Sequence, residues 1–137
     1  MGYLIEPNAK EIVTAKVTLT SANLLTPGYI YNIPEYAAVK GYFWNVLYMN
    51  GEITNGSTPY IGTSFIHIQT DGTANPQYRF TNVYMQGLPG VWSHASQTGG
   101  AVTSYLQFKQ LQIHNPGTLT VGDTELVIYI GANLIKY

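Results

Sequence analysis

A chain of 137 residues that is 45% hydrophobic can build one full core, yet only 9% of it is charged, against about 25% in an ordinary soluble domain. The net charge is −1 and the basic residues (Lys10, Lys16, Lys40, Arg79, Lys109 and Lys136) are scattered singly, which excludes a cationic stripe for nucleic-acid phosphates or an anionic membrane surface. With no cysteine, disulfides, zinc–thiolate sites and thiol nucleophiles are excluded as well.

Met1 to Lys10 reads as an N-terminal arm ahead of a single domain over 11–137. Glu6, Pro7 and Asn8 stand where a secretion signal needs an apolar run, so a soluble, unprocessed chain is expected. Helix periodicity is almost absent, while Gly, Pro, Thr, Tyr, Val and Ile abound, so the expectation is all-β. From Glu11 to Thr20 the apolar residues Val13, Ala15, Val17 and Leu19 alternate with Thr14, Lys16, Thr18 and Thr20, the mark of a strand with one buried and one wet face. Ser21 to Thr26 is a short connection, and Tyr29 to Ile33 is a second strand stopped by Pro34.

Gly41 to Met49 is a third strand, crowded with Tyr42, Phe43, Trp44 and Tyr48. Its lack of strict alternation predicts burial on both faces, one in the core and one under a neighbouring element or subunit. Asn50-Gly51 and Asn55-Gly56 both read as tight turns. Ser64 to Thr70 is a strand with Ile66 and Ile68 inward and Phe65, His67 and Gln69 outward, and Tyr78 to Met85 is another. The longest irregular stretch runs over 86–102 and holds Trp92 and His94. Ser104 to Asn115 is a strand with a bulge near Lys109 and Gln110, ended by Pro116; the last strand begins after Gly122-Asp123 and continues past Gly131. About eight strands with regular turns describe one antiparallel β-sandwich of jelly-roll type.

Two blocks, Ala15-Lys16-Val17-Thr18-Leu19-Thr20-Ser21-Ala22-Asn23-Leu24-Leu25 and the closing run from Asn115-Pro116-Gly117 through Gly122-Asp123 to Ile130, resemble small phage structural proteins. Ile33-Pro34 and Val39-Lys40-Gly41-Tyr42-Phe43-Trp44 match the turn and aromatic strand of that group, whereas Gly131-Ala132-Asn133 departs from its tyrosine-rich ending and 86–102 has no counterpart in it. The resemblance implies a jelly-roll virion component, such as a capsid decoration, head-fibre or tail-associated protein, commonly a homotrimer, located in the virion beside the major capsid or tail proteins.

The candidate chemistry is thin. His67, His94 and His114 fall on different elements without metal-ligand spacing, so no metal or other cofactor is expected. The acids lie mostly at turns and strand edges, where Asp71 and Asp123 act as turn formers, and no serine stands in a strand-to-helix elbow, so no catalytic residue is expected. The aromatics carry the remaining signal. Tyr42, Trp44, Tyr48, Phe108 and Gln110 are the expected subunit or virion contacts, since tyrosine and tryptophan are enriched in interfaces and Lys, Glu and Asp are depleted. Trp92 and His94 are the candidate residues of a loop that contacts a glycan or receptor, the alternative reading being an adhesin.

Overall fold

The computed structural model describes residues 11–71, 76–97 and 109–136. The expected arm, 1–10, lies outside them, as do Phe108 and the first part of the expected strand Ser104 to Asn115. Two antiparallel sheets face each other. One has the order β1 (Val13–Leu19), β9 (Glu125–Lys136), β3 (Tyr42–Thr54), β6 (Trp92–His94). The other has the order β2 (Tyr29–Asn32), β8 (Leu111–Asn115), β4 (His67–Thr70), β5 (Pro76–Arg79), β7 (Ser96–Gln97). If the two-residue β7 is set aside, the first strand pairs with the last, the second with the next to last, the third with the sixth and the fourth with the fifth. That nesting is one long hairpin rolled around a core, the jelly-roll topology.

Alternation decides which side chains enter the core. Ala15, Val17 and Leu19 of β1 face inward with Leu126, Ile128, Ile130 and Leu134 of β9, while Thr14, Lys16 and Thr18 point out. In β3 the residues Tyr42, Trp44 and Val46 face inward; the register then shifts between Val46 and Tyr48, and Met49 and Ile53 continue the inward row. The extra residue, Leu47, leaves both Leu47 and Tyr48 on the outer side, which is the geometric effect of a bulge. Between the sheets lie the wholly buried Tyr36, Tyr60, Phe80 and Met85. Each such side chain contributes on the order of 1.5–3 kcal/mol of burial free energy.

Buried tyrosine hydroxyls must find acceptors, and they do. Tyr36 donates to Val13 O at 2.7 Å and Ile130 O at 3.1 Å, tying the turn after β2 to β1 and β9, and Tyr60 donates to Thr124 O. Burial raises the Tyr36 and Tyr84 hydroxyls well above the usual tyrosine range, so both remain donors at every working pH.

Several local expectations are corrected. Asn50-Gly51 is no turn but the middle of β3, because a Cβ at residue 51 would sit 2.8 Å from Phe80 Cζ and only glycine leaves room for that ring. Asn55-Gly56 does turn the chain, with positive φ at both residues. Ser21 to Thr26 holds a four-residue helix, α1 (Ser21–Leu24), whose capping box joins Thr20 and Asn23 reciprocally. Tyr78 to Met85 is not one strand. After β5 the chain buries Phe80 and enters a 3₁₀ turn, Asn82–Gln86. Finally, 86–102 is not simply irregular. Over Trp92 to Gln97 the chain passes from one sheet to the other, β6 pairing with β3 and β7 with β5, with Ala95 buried at the pivot.

Candidate functional site

The outer face of the four-stranded sheet gathers the exposed aromatics. Lys16 of β1 pairs with Tyr129 of β9, Tyr129 with Asn50 of β3, and Asn50 with His94 of β6, so these four side chains form one row across the sheet. Trp92, 57% exposed, starts the adjacent row with Glu52 and stacks on Tyr129, with ring centroids 5.7 Å apart and planes at 21°. Lys16 Nζ sits 5.8 Å from the Tyr129 centroid on this face, and His94 Nδ1 contacts Asn50 Oδ1. On the far side of Tyr129 the bulge presents Tyr48, whose ring lies over Gly131. A Cβ at residue 131 would approach Tyr48 Cε1, Cζ and Cδ1 to 2.9 Å or less, so glycine is what lets the ring lie flat there.

Thr14, Ala15, Lys16, Glu35, Tyr48, Tyr129 and Ile130 line a cleft of about 460 Å³. Its walls combine two phenol rings, an ammonium, a carboxylate and a hydroxyl. Glu35 arrives from the 3₁₀ turn Pro34–Tyr36, held in place by the buried Tyr36 beside it.

A second polar cluster occupies the outer side of the other sheet. His67 faces His114 edge to face, with ring centroids 5.0 Å apart and His114 Nδ1 3.3 Å from His67 Nε2. His67 Nδ1 donates to Phe65 O at 2.9 Å, and its Nε2 lies 2.8 Å from the Gln69 side-chain amide. Gln69 then donates to Gln112 at 3.3 Å, and Gln112 to Asn32 at 2.8 Å. His67, expected exposed, is 8% exposed and spent on this ladder. Among the described residues no three metal-ligating side chains gather. Burial, and then the facing His67 ring, hold His114 below the ordinary histidine value of 6.5. A depressed native value means that the unfolded chain binds the proton first. The associated stability is full above pH 6.5 and is lost as pH falls through the lower native value. Urea unfolding should therefore show declining stability below about pH 6.5, with part of that slope absent in His114→Gln; a wild-type stability unchanged between about pH 7 and 5 contradicts it.

The expected contact residues divide. Tyr48, Trp92 and His94 lie on the outer face just described, with Trp92 and His94 on an edge strand and not in a loop. Tyr42 is corrected to a core residue, and Trp44, expected in the core or at a subunit interface, takes the core place, the two being 8% and 5% exposed. Trp44 packs on Tyr36 at 5.0 Å and its indole N–H donates to Ala37 O at 2.8 Å, so neither ring has surface left for a partner. Gln110 is spent internally, donating to Ile33 O at 2.7 Å and Tyr36 O at 3.1 Å. Tyr129, Lys16 and Glu35 were not singled out, although the outward parity of Lys16 and Tyr129 in their strands was the available signal. Comparison with family models, curated proteins and solved structures finds no match.

Proposed function

We propose that the protein is a non-enzymatic virion structural module, a decoration or fibre component of a phage particle, that works by burying weakly charged surface against copies of itself and neighbouring virion proteins. The observation that carries this reading is the exterior. Thirteen ionisable Lys, Arg, Asp and Glu side chains serve the whole chain (6 basic and 7 acidic), while at least eleven large apolar side chains are exposed among the described residues. Isolated exposed apolar residues are ordinary, but so many beside so few charges favour association. The jelly-roll strand order and the likeness of Ala15–Leu25 and Asn115–Ile130 to phage structural proteins support the virion setting.

The end of the sandwich at the Ile61–Thr120 bridge is apolar, with Ile61 and Val121 each 63% exposed. Val121 also has φ +75°, a conformation that costs a β-branched residue about 1–3 kcal/mol. A strained, solvent-facing valine adds nothing to the isolated chain, whereas a partner surface gives it burial. Val121→Asn is expected to raise the melting temperature of the unassociated protein by about 3 °C, because asparagine tolerates this φ. The same change should weaken self-association. Light scattering of the full chain at micromolar concentration should report a trimer; a monomer there overturns the reading.

A further inference from the structure

We propose that the cleft beside Tyr129, together with the Trp92 platform, binds a neutral hexopyranose-containing glycan, with one sugar in the cleft and the next on the indole. This goes beyond the assembly reading and rests on different residues from the Ile61–Val121 tip.

The geometry selects the ligand class by elimination and by fit. A pyranose ring has an apolar C–H face and an edge of hydroxyls that both donate and accept. Tyr129 and Tyr48 give the cleft a flat apolar wall, while Lys16, Glu35 and Thr14 supply a donor, an acceptor and a group that is both. The volume of about 460 Å³ falls within the range of small-ligand pockets, about 300–1,000 Å³. The two charges that line the cleft are one of each sign, so the site has no net charge with which to hold a phosphate, a uronate or a sialic acid. A neutral ring with adjacent hydroxyls satisfies Lys16 and Glu35 together.

Trp92 extends the site. Its indole is braced from one side by Tyr129, which also walls the cleft, so platform and cleft share a residue and are continuous. An indole more than half exposed and stacked on one face against Tyr129 has less rotamer freedom to lose on binding than an unsupported one, which favours its use as an anchor. Asn50, His94 and Glu52 border the platform with further hydrogen-bonding groups.

The test is a titration of the full chain with a panel of neutral gluco-, manno- and galacto-oligosaccharides, with sialyllactose as the anionic control, followed by amide chemical shifts and tryptophan fluorescence. At least one neutral oligosaccharide should bind at millimolar concentration or tighter, with shifts centred on Lys16, Tyr48, Trp92 and Tyr129. Trp92→Ala should weaken it at least tenfold, and Glu35→Gln and Lys16→Ala at least threefold. All three sites are exposed, and circular dichroism melts should match wild type. No binding by any neutral member, binding of sialyllactose alone, or binding that survives both Trp92→Ala and Glu35→Gln overturns the proposal. Light scattering of Trp92→Ala keeps this outcome separate from the assembly reading, which expects its oligomer unchanged.

Discussion

Asn115→Ala is expected to lower the unfolding free energy by about 3 kcal/mol, read in urea as a shift of midpoint with unchanged slope. The side chain is wholly buried at the end of β8 and works in both directions. Its Nδ2 donates to Leu24 O at 2.9 Å, closing the end of α1. Its Oδ1 accepts from Ser64 Oγ at 2.5 Å and from Gly117 N at 3.4 Å. Truncation takes the donor from the Leu24 carbonyl, removes one acceptor from the Ser64 hydroxyl and opens a cavity. A lost bond to a buried group costs about 1–3 kcal/mol, and the cavity adds to that. Asn115→Asp separates the two halves of the role. It keeps the acceptor for Ser64 but sets a carboxylate against Leu24 O, so it should be no milder than alanine. A loss below about 1 kcal/mol for Asn115→Ala contradicts the argument.

The role of Asn115 also bears on how far the sequence could be read. The closing motif looked familiar because its residues are packing devices. Asn115 joins α1 to the segment at Ser64, and Asp123 accepts backbone N–H bonds from Thr58 at 2.7 Å and Ser57 at 2.9 Å, which hold its carboxyl below the usual value. The motif therefore spoke to fold and said little about ligands. Val13–Leu19 was legible because it buries one face, so its periodicity survives in the sequence, and the final strand because an unbroken apolar run follows the turn at Gly122-Asp123. Asn50-Gly51 was misread because the reason for that glycine, the Phe80 ring, lies on another element. The bulge at Leu47 was equally hidden, and with it the outward turn of Tyr48 and the inward turn of Tyr42 and Trp44. For the candidate site, Trp92, His94 and Tyr48 could be named from residue type alone. That they surround Tyr129 and Lys16 depends on the pairing of β1, β9, β3 and β6, which no local pattern states.

Gly122→Ala is the sharper steric case. Gly122 has no positive φ, so its backbone conformation is open to alanine and any penalty is one of space. A Cβ there would lie 2.7 Å or less from Cγ, Cδ1 and Cδ2 of Tyr60. The ring has no retreat, since Tyr60 is buried among the core residues and its hydroxyl is bonded to Thr124 O. The turn has little more, because Gly122 N donates to Thr120 O at 2.9 Å and Asp123 N to Thr58 O at 3.0 Å. Overpacking of this kind costs about 1–3 kcal/mol, and with both sides anchored the upper end, about 3 kcal/mol, is expected from chemical denaturation. Tyr60→Leu provides the control. Alone it destabilises, by loss of ring contacts and of a buried hydrogen bond. In the Gly122→Ala background it should cost less, by at least about 1 kcal/mol, because the smaller side chain frees the space that the new methyl needs. Strict additivity of the two substitutions would place the cost of Gly122→Ala elsewhere than at the Tyr60 ring.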